Sequence, residues 1–379
     1  MPDRARVPPI SGWILRDVIV PFVLTRAALA VIATVAAANV PPGVACDPCD
    51  LSSVPLVNAL SRWDGGAYLE IARDGYSHTP DAGSNVTFSP LLPILMRGLA
   101  ALTGRADDDR LLAAGLVISN VSLVVGLVYL VGLGRLEVGI DAGRRAAVYV
   151  LVFPTTVFLS AVYPESLFLA LATGTLFEAR RSRWRRAGAL ASLAALARPF
   201  GMLLVLPLAA EALVQRRRGT AIGATTLAVA LSAPVTAFLA WQLFLYASTG
   251  DPLAFLTAQA SYGRRPSGPW EAVVGLGDPS LYSFPWLVLA MFVGSVVLVV
   301  SSWLMLSPST AVYGTTMLIA MASSGTLSSF PRYALTLAPG CLALGALGRR
   351  RPIHLASVAI STALAGLLTA MFAAWYWVG

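Results

Sequence analysis

The sequence predicts an all-α polytopic membrane protein with about eleven transmembrane helices and re-entrant or interfacial helices in its first outer loop. Three observations predict it. Of 379 residues, 57% are hydrophobic and 12% charged, where soluble domains carry about 25% charged residues. The apolar residues gather in runs of about 20, the length that crosses a hydrocarbon core. All 27 basic residues are Arg, clustered in short loops at Arg135, Arg144 and Arg145; Arg180, Arg181, Arg183, Arg185 and Arg186; Arg216 to Arg218; and Arg349 to Arg351. That is the positive-inside pattern. The net charge of +8 therefore orients the chain in a bilayer, and no nucleic-acid partner is expected.

The first apolar run is long enough to span, so no cleavable signal is expected. Spans are predicted at 14–38, 111–134, 145–163, 165–179, 220–247, 285–306, 309–328, 332–348 and 353–378. Region 186–215 has basic loops at both ends and Arg198-Pro199 in the middle. Proline ends helices, so two short helices broken there form a hairpin, with Arg198 near the outer face. Segment 88–103 opens Phe-Ser-Pro-Leu-Leu-Pro, carries Arg97 and is too short to cross. It reads as re-entrant or interfacial, which keeps every Arg cluster inside. The N-terminus is then cytoplasmic and the C-terminus outside, in a multi-pass protein of the plasma (inner) membrane.

Under that topology several polar features reach the outer face: Ser61 to Tyr76, Tyr163-Pro164-Glu165-Ser166, Arg198-Pro199 and Phe330-Pro331-Arg332-Tyr333. The first outer loop, 39–110, and the second, 248–284, lie with them. Ionisable groups beside a span are costly and mark functional sites. Asp64 precedes Gly-Gly-Ala and reads as the N-cap of a helix over about 65–73. Trp63 and Tyr68 fall at the positions of a hydrophobic staple, and Asp74-Gly75 reads as a stop. A capping carboxylate can also accept a proton from a hydroxyl. Glu70, six residues on, falls on a different helix face. Glu165 reads either as a cap for the next helix or as a group orienting a substrate hydroxyl or an arginine. Arg198 and Arg332 oppose the charge trend and suit phosphate, which guanidinium binds in a bidentate way; a lone Arg at a span end also serves as a snorkelling anchor. His78 is a loop histidine, incidental or a phosphate contact. Arg264 and Arg265 either steer an anionic headgroup or sit in solvent.

Cys46 and Cys49 form Cys-Asp-Pro-Cys after the first span and read as a disulfide stapling the loop. Cys341 reads as core. Neither a phosphate-binding P-loop nor a dinucleotide fingerprint is present, so a nucleotide cofactor has no support.

The motifs Arg62-Trp63-Asp64 through Gly75-Tyr76, Phe88-Ser89-Pro90-Leu91-Leu92-Pro93, Phe153-Pro154 through Tyr163-Pro164-Glu165-Ser166-Leu167-Phe168, Ala197-Arg198-Pro199 with Gly201, and Pro331-Arg332-Tyr333 occur in this order. Together they resemble the PIG-V family of GPI mannosyltransferase II and its bacterial homologues. The resemblance implies a GT-C-like membrane fold over 1–379. It implies inverting transfer of mannose on the outer face, from a polyprenyl-phosphate-mannose donor to a hydroxyl acceptor (glycolipid, lipoglycan or protein). It puts Asp64 at the position of the first-loop catalytic acid. Where this family often has Ser or Thr, the chain has Pro164. Arg62, Trp63, Glu70, Tyr76, His78, Glu165, Arg198, Arg332 and Tyr333 are the candidate substrate-binding residues. Neither a metal nor another cofactor is expected, since arginines can take the charge of the departing phosphate. Two alternatives remain at this stage: a GT-C transferase for another lipid-linked sugar, and a non-catalytic lipid-linked glycan transporter or flippase.

Overall fold

The computed structural model describes residues 11–44, 49–78, 84–277 and 284–379, and all regular structure among them is helical. Helix α1 (Gly12–Asn39) includes a π turn at Leu15–Ile19. Three short helices follow in the first loop: α2 (Pro55–Ala59), α3 (Asp64–Asp74) and α4 (Leu91–Ala101). The longest helix, α5 (Asp108–Glu137), is N-capped by Asp107, whose carboxylate accepts from the Arg110 N–H at 3.0 Å. Then come α6 (Ile140–Leu151), α7 (Glu165–Arg180), α8 (Trp184–Ala197), a 3-10 turn at Pro199–Leu204 and α9 (Val205–Arg217). Helix α10 (Ala224–Thr249) leads to the second loop, with α11 (Ala254–Ala260) and α12 (Pro269–Val274). The chain finishes through α13 (Pro285–Met305), α14 (Pro308–Ala322), α15 (Phe330–Ala334), α16 (Ala338–Leu347) and α17 (Arg351–Ala373).

Among the described residues, six helices are long and apolar enough to cross a membrane: α1, α5, Pro199–Arg217, α10, α13 and α17. Other expected spans are shorter. Helix α6 has 12 residues, about 18 Å at 1.5 Å per residue, against a core of about 30 Å. The expected 145–163 span therefore gives way, after Leu151, to a segment at 152–164 whose one regular piece is a short 3-10 turn at Thr156–Leu159. The expected 332–348 span is broken into α15 and α16. Irregular backbone at membrane depth requires partners from within the protein, and side chains supply them here. Arg26 donates to the Leu151 carbonyl at 2.5 Å, and Thr155 donates to the Pro331 carbonyl at 2.7 Å.

Region 186–215 forms the expected broken pair. Its two basic ends lie together, since Ser182 donates to Gln215 at 2.9 Å. The tip at Arg198 is 7% exposed, buried within the bundle. Gly201 makes the reversal possible: a Cβ there would lie 2.3 Å from the Ala194 carbonyl oxygen. Gly201→Ala is expected to cost about 1–3 kcal/mol through overpacking, read as a lower thermal unfolding midpoint of the purified protein.

The arginine loops gather at one end of the bundle. Arg144 pairs with Asp17 at 2.8 Å, Arg145 donates to the Gly345 carbonyl at 2.7 Å, and Arg180 lies 3.3 Å from Glu137 and 3.4 Å from Glu211. Glu137 also accepts from Ser307 and Thr310, and Glu211 from Gln215 and Ser309. These donors let two buried carboxylates share one guanidinium. The loop helices α3, α4 and α11 occupy the other end.

Candidate functional site

Four distant parts of the chain meet at that other end. Asp64 is the first residue of α3, Glu165 the first of α7, Arg198 follows the last residue of α8, and Arg332 sits in α15. Arg332 donates from Nη1 to Asp64 Oδ2, and its Nε lies 3.5 Å from Glu165 Oε1. Arg198 donates from Nη1 to the same Glu165 oxygen at 2.9 Å. Glu165 is fully buried, Arg332 is 4% exposed, and the Asp64 side chain keeps 20% exposure. Glu165 is thus the hinge of the cluster, a carboxylate bridging two guanidiniums. Its other oxygen, Oε2, is buried without a partner among the described residues.

Aromatic faces hold the guanidiniums. The Arg198 carbon lies 4.1 Å above the Tyr333 ring, and that of Arg332 lies 5.1 Å from Tyr333, 5.3 Å from Trp377 and 5.4 Å from Tyr163. Cation–π contact of this kind stabilises a desolvated cation. Arg264 approaches from the second loop at 5.9 Å from the same Tyr333 ring. Its hydrogen bonds go to Gln259 at 3.2 Å and Ser329 at 2.9 Å, both neutral. Two carboxylates offset Arg198 and Arg332; Arg264 adds a positive charge that no carboxylate among the described residues pairs.

Two expectations about α3 are corrected. Asp64 is not an N-cap. Trp63 holds that position at φ 57°, and no side chain caps the helix. The Asp64 carboxylate is drawn instead to Arg332, and its backbone N–H donates to the Tyr163 hydroxyl at 3.0 Å. Trp63 and Tyr68 do not form a staple. The Trp63 ring packs edge-on to Trp375 and Trp377, and Tyr68 packs against Phe88. The expected stop holds, with Gly75 at φ 93°.

Other candidates are engaged elsewhere. Arg62 donates to the Ala373 carbonyl at 3.1 Å and the Cys49 carbonyl at 2.5 Å, and its guanidinium stacks on Trp375. It also lines a cleft of about 690 Å³ with Asp50, Asn58 and Asp108, which contains none of Asp64, Glu165, Arg198 or Arg332. Glu70 accepts from Ser77 at 3.0 Å. The Tyr76 hydroxyl donates to the Phe88 carbonyl at 2.7 Å. The His78 ring bonds Ser84 at 3.0 Å and lies 3.6 Å from Asp251. Cys49 is disulfide-bonded; Cys46 lies outside the described residues; Cys341 is free and buried.

Tyr163, Tyr68, Trp377 and Arg26 are not among the candidate site residues read from the sequence. Burial first, and then the Glu165 and Asp64 carboxylates, hold the Tyr68 phenol well above its ordinary value, so it stays a neutral donor beside both acids. Tyr262 in the second loop is raised by burial and then by Asp64. Arg26 carried a signal, being a lone charge midway along the first span; the tryptophans carried none.

The architecture is the GT-C type of membrane fold. A solved structure of ArnT from Cupriavidus metallidurans has the same fold, with a TM-score of 0.55 at 16% identity over 94% of this chain and 64% of that one. A family model for mannosyltransferase (PIG-V) matches residues 18–249, and the chain belongs to that family. GPI alpha-1,6-mannosyltransferase 2 of Rattus norvegicus is 32% identical over 160 residues, 40% of this chain and 31% of the rat protein. The Mus musculus protein of that name is 33% identical over 156 residues, 39% and 30% of the two chains. The match thus spans about a third of these relatives.

Proposed function

We propose that the protein transfers mannose from a polyprenyl-phosphate-mannose donor to a hydroxyl acceptor, with inversion at the anomeric carbon, at the outer face of the plasma membrane. One observation carries the reading: Asp64, Glu165, Arg198 and Arg332, remote in sequence, form one partly open charged cluster at the end of the bundle away from the arginine loops. The mannosyltransferase family, and a GT-C neighbour whose structure holds undecaprenyl phosphate, support the choice of sugar and carrier.

In this reading Asp64 is the general base. Its Oδ2 is held by Arg332, while Oδ1 has no partner among the described residues. Oδ1 takes the proton as the acceptor oxygen bonds to the anomeric carbon. The bond from that carbon to the phosphate oxygen breaks, and polyprenyl phosphate departs with the electron pair. Charge developing on the phosphate is met by a field already in place. Arg198 and Arg332 supply it while engaged with carboxylates, and Arg264, whose partners among the described residues are neutral, is a cation placed to meet the phosphate directly. This chemistry asks for no metal.

The test uses the full chain in nanodiscs, synthetic polyprenyl-phosphate-mannose as donor and octyl mannoside as acceptor probe. Expected is equimolar release of polyprenyl phosphate and a dimannoside of inverted configuration. Retained configuration, or no release of polyprenyl phosphate, overturns the reading. A parallel donor carrying glucose should be used less than the mannose donor, and equal use would overturn the choice of sugar.

A further inference from the structure

We infer that Arg26, in the middle of the first span, is a positioning residue for the transfer step. It fixes the segment 152–164 that follows α6 and, through it, the pose of Asp64 and Glu165. The inference rests on the reading of Asp64 as the base.

Arg26 is buried, and no acidic side chain is among its partners among the described residues. A guanidinium within a bilayer is costly unless every donor finds an acceptor. All of its donors do. Nη2 bonds the Leu151 carbonyl at 2.5 Å and the Thr156 hydroxyl at 3.0 Å; Nη1 bonds the Thr156 carbonyl at 3.2 Å and the Ser160 hydroxyl at 3.3 Å; Nε reaches Thr25 at 3.4 Å. Leu151 is the last residue of α6. Its carbonyl has no intrahelical partner and sits at the negative end of the helix dipole. The cation therefore finds there the partial charge that suits it.

The segment held in this way is what α3 leans on. Val162 N–H donates to the Leu60 carbonyl at 3.1 Å, and the Tyr163 hydroxyl accepts from Asp64 N–H at 3.0 Å while donating to the Arg62 carbonyl at 3.2 Å. Ser160 passes the contact to Asn120 of α5 at 2.9 Å, and Ser119 holds the Tyr163 carbonyl at 3.1 Å. Ser166, next to Glu165, donates to the Leu159 carbonyl at 2.6 Å. Both acids of the site are thus seated on a stretch of chain whose own regular hydrogen bonding is a short 3-10 turn at Thr156–Leu159, and which Arg26 ties to α1.

Arg26→Gln removes a desolvated charge and leaves no opposite charge behind, so the fold should survive. Arg26→Lys keeps the charge, but one ammonium cannot span acceptors on both sides of the break. In the nanodisc assay both variants are expected to lower kcat per folded molecule about 10–100-fold, the scale of a small misplacement of reacting groups. KM for the mannose donor should stay within about twofold, because Arg198, Arg264 and Arg332 are untouched. Backbone amide exchange should rise in residues 152–164 and not in α13. Thr156→Val, which removes one acceptor and no charge, should give a smaller drop in the same direction. Combined with Arg26→Gln it should add little, since both act through one segment. Unchanged kcat per folded molecule, or unchanged exchange at 152–164, overturns the inference. If the wild-type protein transfers no sugar, the proposed activity fails by itself, and the exchange measurement still decides whether Arg26 holds the segment.

Discussion

Asp64→Asn is expected to lower kcat about 10²–10⁴-fold, the contribution of a positioned general base, with donor affinity nearly unchanged. The amide matches the carboxylate in shape, and its carbonyl oxygen still accepts from Arg332, so the side chain keeps its place. Arg332 keeps Glu165 at 3.5 Å, so its charge is not left alone. What is lost is an oxygen able to take a proton. The measurement is turnover against donor concentration, together with donor binding by the inactive protein. A fall in kcat at constant affinity fits a base acting only in the transition state. Unchanged turnover would remove Asp64 from the chemistry. Loss of binding with normal turnover at saturation would make it a substrate ligand, as a lipid transporter would use it.

Glu165→Gln is expected to destabilise the protein by about 3–5 kcal/mol, the cost of stranding a buried charge. Glu165 is the only carboxylate paired with Arg198 among the described residues. The amide could accept one hydrogen bond but would offset neither guanidinium. The measurement is the thermal unfolding midpoint in detergent, followed by turnover of the folded fraction. A paired replacement separates charge from packing. Glu165→Leu with Arg198→Met removes both charges together and should recover most of the lost stability, since buried ion pairs exchange for apolar groups at little cost. It should not recover turnover. A stable, fully active Glu165→Gln protein would sink the account of the cluster.

Much of this was legible in the residues. The apolar runs and arginine loops announced a multi-pass helical protein, and the Arg198-Pro199 break was visible because a proline disfavours the helix interior and here stands between two basic loops. Asp64, Glu165, Arg198 and Arg332 stood out because charge near lipid is costly. Their pairing was not legible. Nothing local to Asp64 indicates that its partner lies 268 residues away, so the nearby glycines suggested a helix cap that the structure does not contain. Helix lengths were misjudged for a related reason. Hydropathy registers 145–163 as apolar enough to span despite Pro154-Thr155-Thr156, whereas side chains from α1 and α5 allow α6 to stop at Leu151. Arg62, Tyr76 and His78 drew attention as polar loop residues, and their hydrogen bonds go to the first loop and α17, away from the cluster.

The cluster also has a consequence for biogenesis. Its members lie at positions 64, 165, 198 and 332, so a ribosome exposes Asp64, Glu165 and Arg198 well before Arg332 exists. Until then the nascent chain holds an acid with no cation to answer it, and helices that cannot yet seal against one another. Maturation should therefore be late and all-or-none. A chain arrested before residue 332 should insert yet remain open to proteolysis, and co-expression of the missing part as a separate fragment should close it.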